Sequence, residues 1–239
     1  MASANRADEL AARLTEAIHL GLLADGEQLP PETEFAHQLG VATMTLRDSI
    51  STLRDRGLVE TRRGRNGGTF IKRSLEPAPE PDLERLARIS VAALRDLADE
   101  QLAITGLSAR LAAQRAAPQS VRRILGMVDQ ISTAASRGAR IKADSRFHIE
   151  VAIATRSERL VRREVALQAE TVGMLWLPHL EGAEASEIVT EHHEIAEAIA
   201  AEEAEAAQHA AERHVRANLR RLTTAHLRLI EDDTLEEAR

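Results

Sequence analysis

Asp144 and His148 have the spacing of a metal-binding pair. They are four residues apart, so on a helix both side chains lie on the same face. A carboxylate and a neutral imidazole in this arrangement can bind one divalent cation. Two further histidines, His192 and His214, are 22 residues apart, which in one continuous helix is a distance of about 33 Å. They can share an ion only if the chain turns between them, and residues 200–204 contain neither Gly nor Pro.

The alternative for these histidines is exposure on solvated helices. The chain has nine histidines, and we expect at least His193, His209 and His226 to be exposed. The sequence contains no cysteine, which excludes disulfides, Cys-based zinc sites and Cys nucleophiles. A site in this chain must therefore be built from histidines and carboxylates.

A basic segment lies in the first third of an otherwise acidic chain. Residues 42–74 contain eight Lys and Arg against three Asp and Glu, whereas the whole chain has a net charge of −7. Such a patch is typical of a surface that binds DNA phosphates, although a solvated charged surface is the alternative. Aromatic residues make up only 2% of the chain, which argues against a stacking platform for single-stranded nucleic acid.

The pattern around this segment predicts a winged helix-turn-helix, the fold of many double-stranded DNA-binding domains. Leu10, Leu14, Ile18 and Leu22 form one stripe of a first helix. A short second helix follows Pro30-Pro31 and ends at Gly40, and a third helix spans about 43–56. Strands at 58–61 and 69–71 flank a glycine-rich tip that contains Arg62, Arg63 and Arg65.

Three prolines at alternate positions, Pro77, Pro79 and Pro81, predict an extended linker between two domains. The following part lacks convincing strands and has apolar residues at spacings of three and four, which is typical of an antiparallel helical bundle. The predicted domains are 1–74, a linker at 75–81, an all-helical domain at 82–231 and a tail at 232–239. The predicted helices are 82–99, 101–116, 119–136, 139–155, 157–178, 185–201 and 203–231.

Residues 8–73 resemble the DNA-binding domain of the GntR family of bacterial transcription regulators. The resemblance rests on an ordered series of motifs: Gly21-Leu22-Leu23, the segment from Leu29 to Ala36, Leu39-Gly40-Val41, Leu46-Arg47-Asp48, Gly57-Leu58-Val59 and the glycine-rich wing. It implies that Arg47 contacts DNA bases. Thr33 and Thr43 stand where the family often has Arg, so the base preference of this chain is expected to differ. The DNA-binding residues expected on this basis are Thr33, Thr43, Thr45, Arg47, Arg62, Arg63, Arg65, Asn66 and Gly67.

Residues 82–231 resemble the all-helical effector domain of the FadR subfamily, which is called the FCD type. The resemblance rests on Leu111-Ala112-Ala113, the segment 144–148, the segment 191–195 and His214. It implies one divalent metal bound by Asp144, His148, His192 and His214, with zinc or nickel the best match for this donor set. It also aligns Gln101 and Thr105 with an Arg and a Glu that commonly face the effector cavity.

The sequence therefore predicts a dimeric regulator, most simply a repressor, that binds a roughly palindromic operator and a small metabolite such as an organic acid. A metal-dependent hydrolase and a helical assembly module without catalytic activity are the alternatives, and the hydrolase would leave the basic winged helix unexplained. The chain has no H-E-x-x-H motif. It also has no apolar run long enough to span a bilayer, so a soluble cytoplasmic protein without a membrane partner is expected.

Overall fold

The computed structural model describes residues 2–64, 67–72, 80–177 and 183–237. The chain divides into two compact units, Met1–Glu76 and Pro77–Arg239, and the division falls within the predicted linker at 75–81. Over the described ranges, no helix has both the length and the apolar character that crossing a bilayer requires.

The N-terminal unit consists of three helices followed by a hairpin. Its core is formed by Leu10, Leu14 and Ile18 of the first helix together with apolar residues of the other elements. Leu22 lies in the turn after that helix rather than within it. The elements are α1 (Ala2–His19), α2 (Glu32–Leu39), α3 (Thr43–Asp55), β1 (Val59–Arg62) and β2 (Gly68–Ile71).

The turn between α2 and α3 sets the direction of α3 relative to α2. Gly40 ends α2 with a φ of 67°, in the left-handed region, which favours glycine because a side chain there is strained. Glu32 and Glu34 lie in the first turn of α2, where negative charge interacts favourably with the helix dipole. The chain then enters α3 after only three residues.

The hairpin is antiparallel, with Val59 opposite Ile71 and Arg62 opposite Gly68. Val59 and Ile71 are buried in the core of the unit, so the base of the hairpin is anchored to the helices. The strands extend one residue beyond the predicted bounds at the tip. Three helices followed by this hairpin confirm the predicted winged helix-turn-helix.

The C-terminal unit is all-helical in its described part, as the sequence predicts. The helix that carries Asp144 and His148 packs against the helices before and after it. The last two helices pack against each other. The helices are α4 (Glu80–Arg88), α5 (Val91–Gln101), α6 (Leu107–Arg115), α7 (Pro118–Thr133), α8 (Arg137–Ala154), α9 (Glu158–Leu175), α10 (Ala183–Ala200) and α11 (Ala204–Glu237).

Four predicted boundaries in this unit are wrong, and one of them is the break expected between 99 and 101, through which the helix continues. The helix expected at 82–99 is two helices, because the Ser90 side chain accepts a hydrogen bond from the Ala93 N–H and starts α5. Helix α4 begins at Glu80, inside the predicted linker, with Pro81 in its first turn, where a missing N–H costs no helical hydrogen bond. The tail expected at 232–239 is helical as far as Glu237.

A tight turn separates α10 from α11, although its sequence contains no Gly or Pro. Glu202 adopts a φ of 60°. Its N–H donates to Ile199 O at 3.1 Å, and the N–H of Glu203 donates to Ala198 O at 3.0 Å. These two bonds form a Schellman motif, in which the left-handed position costs a residue other than glycine about 1–2 kcal/mol. The turn reverses the chain and makes α10 and α11 antiparallel neighbours.

A π-helical segment at Leu102–Gly106 joins α5 to α6. The flanking residues Gln101 and Leu107 have right-handed helical dihedrals, so the helix is continuous from α5 into α6. Single turns of π-helix are rare and are frequently found at functional sites. This one contains Thr105, a residue predicted to face the effector.

Candidate metal centre and DNA-binding surface

The helical unit brings the four predicted metal ligands together. Asp144 and His148 lie on α8, His192 on α10 and His214 on α11, and each is at most 5% exposed. Nε2 of His192 lies 2.8 Å from Oδ1 of Asp144 and 3.3 Å from Nε2 of His148. One ring nitrogen from each histidine lies within 4.8 Å of the other two. The turn after α10 therefore brings His192 and His214 close enough to share one ion, although they are 22 residues apart in the sequence.

The hydrogen bond on the far side of the His192 ring assigns its proton. Nδ1 lies 2.7 Å from the carbonyl oxygen of Ile188. Because a carbonyl only accepts, Nδ1 donates, and in the neutral ring Nε2 carries a lone pair. That lone pair faces a carboxylate oxygen of Asp144. The other carboxylate oxygen, Oδ2, is buried and has no hydrogen-bond partner among the described residues.

Converging lone pairs in a buried site repel one another unless a cation lies among them. Donor atoms that each lie about 2.0–2.1 Å from one ion are about 3–3.5 Å from each other. The spacings around Nε2 of His192, 2.8 and 3.3 Å, are of this size. Three imidazoles and one carboxylate therefore fit a divalent metal ion. When bound, such an ion supplies positive charge and coordination positions for an oxygen ligand.

A second layer of hydrogen bonds orients His214. Its Nδ1 donates to Oε2 of Glu191 at 2.8 Å, and Arg221 donates to both oxygens of the same carboxylate at 2.7 and 3.0 Å. The lone pair on Nε2 is thereby directed away from Glu191. Nδ2 of Asn218 donates to it at 2.9 Å, so a metal ion at this nitrogen takes the place of that hydrogen bond. Carboxylate–histidine pairs of this kind commonly support metal ligands.

The protonation states favour cation binding. Burial lowers the pKa of His148 and of His214, which keeps both imidazoles neutral. Burial by itself would raise the pKa of Asp144, but a positive charge at the position of the neighbouring imidazoles, His192 foremost, lowers it to about 2, and a bound cation would supply such a charge. Burial also opposes ionisation of Glu191, yet the hydrogen bonds from His214 and Arg221 bring its pKa to about 2.

One prediction about the remaining histidines is wrong. His226 is 5% exposed, and its Nδ1 lies 2.8 Å from the carbonyl oxygen of Leu86. It therefore ties α11 to α4 in the interior instead of lying on a solvated face. His209 is exposed and His193 is half-buried.

A polar seam lies where the helix α5–π–α6 meets α9. Gln101, Thr105 and Ser108 on one side and Glu164, Gln168 and Thr171 on the other are each spaced by four and then three residues. Thr105 donates to Oε2 of Glu164 at 3.0 Å, and Gln101 donates to Thr171 at 3.4 Å. Gln168 donates to Oε1 of Glu164 at 2.9 Å. Five of the six side chains are buried, Gln101 being the half-buried one.

Glu164 is the residue of this seam that sequence reasoning missed. It is fully buried, and burial raises its pKa to about 7, with the charge of Asp144 on α8 adding to the effect. The signal in the sequence was the spacing of Glu164, Gln168 and Thr171, which places three polar residues on the core-facing side of a helix.

Replacing Glu164 by Gln is expected to stabilise the metal-free protein at high pH. The folded state holds the proton of Glu164 up to a pH of about 7, whereas the unfolded chain releases it near 4.5. The loss of folding stability that the buried Glu164 carboxyl causes is absent below a pH of about 4.5, grows as the pH rises and is complete above a pH of about 7. Glu164→Gln should therefore gain on the order of 2–3 kcal/mol at pH 8 and less than about 1 kcal/mol at pH 5.

Urea unfolding of the chelator-treated chain measures this difference. The chain contains a single tryptophan, Trp176, which is buried just after α9, so its fluorescence reports on the helical unit. The histidine titrations are common to both proteins and cancel in the comparison. Glu170→Gln, an exposed site on the same helix, should change stability by less than about 0.5 kcal/mol at either pH. An equal gain in stability from Glu164→Gln at pH 5 and pH 8 would contradict the raised pKa of the Glu164 carboxyl in the folded protein.

On the N-terminal unit, helix α3 presents Arg47 to solvent. Nε and Nη2 of Arg47 donate to Oε2 of Glu32 on α2, at 3.0 and 2.9 Å, and the Arg47 side chain remains 59% exposed. Thr33 is exposed and Thr43 half-buried. Thr45 is only 7% exposed, so its side chain faces the core of the unit and not the predicted DNA-binding surface.

The wing combines arginines with a close approach of Gly67 to the strand before it. Arg62 lies over the ring of Phe70, with 4.2 Å between its guanidinium carbon and the ring centroid, and pairs with Glu60. Arg63 is exposed. A Cβ on Gly67 would come within 2.6 Å of the Arg62 carbonyl oxygen, which explains why this position is a glycine. Arg65 and Asn66 lie outside the described residues.

Two family models match this chain. The model for "Bacterial regulatory proteins, gntR family" matches residues 6–71, and the model for "FCD domain" matches residues 80–217, more than half of the chain. The chain belongs to the GntR family. This GntR regulator therefore carries a DNA-binding winged helix-turn-helix and an FCD domain.

Relatives of this GntR regulator are transcription regulators as well. It is 41% identical to the HTH-type transcriptional regulator RmpR of Mycobacterium gastri over 218 residues, 90% of this chain and 79% of that protein. It is 30% identical to the regulatory protein of the L-lactate dehydrogenase operon of Escherichia coli over 152 residues, 62% of this chain and 58% of that protein. The protein is a transcription regulator and not an enzyme.

A solved structure shares the fold of this GntR regulator. The likeness to E. coli McbR/YncC has a TM-score of 0.55 at 15% sequence identity and covers 92% of this chain and 97% of that one. At this identity the likeness supports the fold alone.

Proposed function

We propose that this protein is a homodimeric repressor whose FCD domain uses one divalent metal ion to bind a small metabolite. The observation that carries the proposal is the convergence of Asp144, His148, His192 and His214 in the interior of the domain that accompanies a DNA-binding head. Zinc and nickel suit three neutral imidazoles and one carboxylate. In this proposal the protein belongs to the FadR subfamily and acts in the cytoplasm.

The winged helix supplies the DNA contacts in this proposal. Arg47 is exposed near the start of α3, the part of a recognition helix that meets base edges in the major groove. In the same proposal, Thr33 and Thr43 contact the DNA as well. Arg62 and Arg63 contact phosphates, together with the wing-tip residues Arg65, Asn66 and Gly67.

The metabolite binds between the metal and the half of the polar seam that carries Gln101 and Thr105. One end of the metabolite completes the coordination of the metal, and the other reaches these side chains. Ligand and operator then influence each other's binding only through a difference in affinity for two states of the protein. One of the relatives is the regulatory protein of an L-lactate dehydrogenase operon, which supports an organic acid as the class of metabolite.

Two chains per operator are expected in solution. One winged helix reads too few base pairs for a specific regulator, and a two-fold protein matches a roughly palindromic site. An operator is first selected from random duplex DNA with the purified full-length protein. Sedimentation of a complex between the protein and this duplex then gives the stoichiometry.

A single chain bound at full affinity would rule out the homodimer. Transcription in vitro from a promoter that overlaps the selected operator tests the direction of regulation. Reduced transcript on addition of the protein supports repression, and increased transcript would replace it with activation.

A further inference from the structure

Met44 is the most exposed large apolar side chain in the part of the chain that the structure describes. It lies in the first turn of α3 and is 60% exposed. A single exposed apolar residue is ordinary on a protein surface, so exposure alone does not indicate a function. Its place in the chain does indicate one, because the first residues of a recognition helix are those that meet base edges in the major groove.

Met44 shares the exposed face of α3 with Arg47. Leu46, Ile50 and Leu53 turn the opposite face into the core of the unit. The exposed residues recur every three or four positions and are Met44, Arg47, Asp48, Ser51, Arg54 and Asp55. Met44 is the apolar member of this stripe. Because residues three apart are neighbours on a helix surface, the side chains of Met44 and Arg47 extend from the same side of α3.

The other side chains of the first turn reach less far than Met44. Thr45 is 7% exposed and belongs to the interior of the unit, and Thr43 is half-buried. A methionine side chain is unbranched and has three rotatable bonds, so it can adapt to the surface that it meets. The start of α3 therefore presents two long side chains to DNA, an apolar one at Met44 and a cationic one at Arg47.

The chemistry of a thioether side chain limits what Met44 can recognise. Its sulfur is a weak acceptor, so it cannot distinguish bases through strong hydrogen bonds. The base edges in the major groove present donors, acceptors and one apolar group, the C5-methyl of thymine. Contact between Met44 and this methyl removes apolar surface of both from water. A different base would bring a polar group against the side chain and leave that group without a partner.

We propose that Met44 determines part of the sequence specificity by selecting a thymine, through its C5-methyl, in each half of the operator. Met44 and Arg47 are about 4.5 Å apart along the helix axis, and successive bases of a strand are about 3.4 Å apart. The thymine therefore lies within about two base pairs of the base that Arg47 contacts. This inference rests on the proposed function, because it uses α3 as the helix in the major groove and an operator with two half-sites.

Replacement of thymine by uracil tests the contact, since uracil lacks the C5-methyl and keeps the hydrogen bonds of the base pair. Each thymine of the selected operator is replaced in turn, and binding of the full-length protein is titrated. The base that Arg47 contacts is the one whose replacement no longer changes binding in Arg47→Ala. One uracil within about two base pairs of it should weaken wild-type binding about fourfold, the effect of one buried methyl group. In Met44→Ala the same replacement should change binding less than about 1.5-fold.

Three further variants show whether the apolar character of Met44 is responsible. Met44→Leu keeps an apolar side chain and should remain sensitive to the uracil replacement. Met44→Gln has a similar length but a polar end and should lose the sensitivity. Ser51→Ala, at an exposed position further along the same stripe, is the matched control and should reproduce the wild-type response to every uracil. Both positions are exposed, so none of these substitutions should impair folding.

The possible failures are distinguishable. The inference is overturned if the wild-type protein shows no sensitive thymine near the base that Arg47 contacts. It is equally overturned if that thymine stays sensitive in Met44→Ala. If Arg47→Ala loses sequence preference while either result is obtained, the inference fails and the proposed function stands. If the full-length protein selects no operator from random duplex DNA, the proposed function itself fails.

Discussion

The His192→Ala protein is expected to lose nearly all of the divalent metal that the wild-type protein holds. The substitution removes the imidazole at the centre of the cluster, whose Nε2 faces both Asp144 and His148. Supporting residues alone typically change metal affinity 10–100-fold, so the loss of a ligand should exceed about 100-fold. Elemental analysis after dialysis against zinc measures about one ion per wild-type chain. Equal metal content in both proteins would refute the site.

Three further variants separate metal binding from folding. His192 is fully buried, so Asp144→Asn, which preserves volume, provides a second test that leaves no cavity. Glu191→Gln keeps all four ligands but weakens the support of His214, and its metal affinity should fall about 10–100-fold. His209→Ala, at an exposed position on α11, should bind metal as the wild type does. Because burial lowers the pKa of His148 and His214, protons should compete with the metal only below the ordinary histidine value of about 6.5.

The Arg47→Ala protein is expected to lose about 1–3 kcal/mol of binding free energy for its selected operator and to discriminate less between sequences. A guanidinium can contact a guanine edge through two donors, and such a pair carries sequence information. In the free protein this guanidinium is paired with Glu32, so it is already held in place by α2. Titration of the selected duplex and of scrambled duplexes gives both affinity and specificity.

Two other arginines supply the comparison. Arg63→Ala should weaken binding to all duplexes alike and reduce the steepness of the salt dependence, since Arg63 is an exposed wing residue expected to contact phosphate. Arg54→Ala, at the exposed far end of α3, should leave sequence preference unchanged. If Arg47→Ala also loses only sequence-independent affinity, Arg47 is not the base-reading residue.

Most of the fold follows from local signals in the sequence. The N-terminal unit has strong ones, such as Gly40 at the end of α2 and the apolar stripe of α1. Its second and third helices and both strands lie within one residue of the prediction, whereas α1 ends before Leu22. The break at Ser90 was missed because the apolar spacing continues through it, and only a side-chain cap reveals the start of α5.

The metal centre depends on the turn between α10 and α11, which the residue types at 200–204 do not predict. The left-handed residue is Glu202, a residue type that normally continues a helix. Packing of α10 on α11 overrides this preference, and the gathering of His192 and His214 follows from that tertiary contact. The role of Glu164 was equally hidden, because a glutamate on a helix rich in charged residues is usually on the solvated face.

The π-helical segment at 102–106 makes the seam sensitive to chain length. A π turn contains one residue more than the α turn it replaces. A chain shortened by one residue here would continue as ordinary α-helix, but its two ends would be rotated by about 100° relative to each other. Gln101 would then leave the surface that meets Thr171, while Ser108 kept its place. A single-codon insertion or deletion is thus a route by which descendants of one regulator could acquire different effectors, because Asp144, His148, His192 and His214 lie on other helices and would not be displaced.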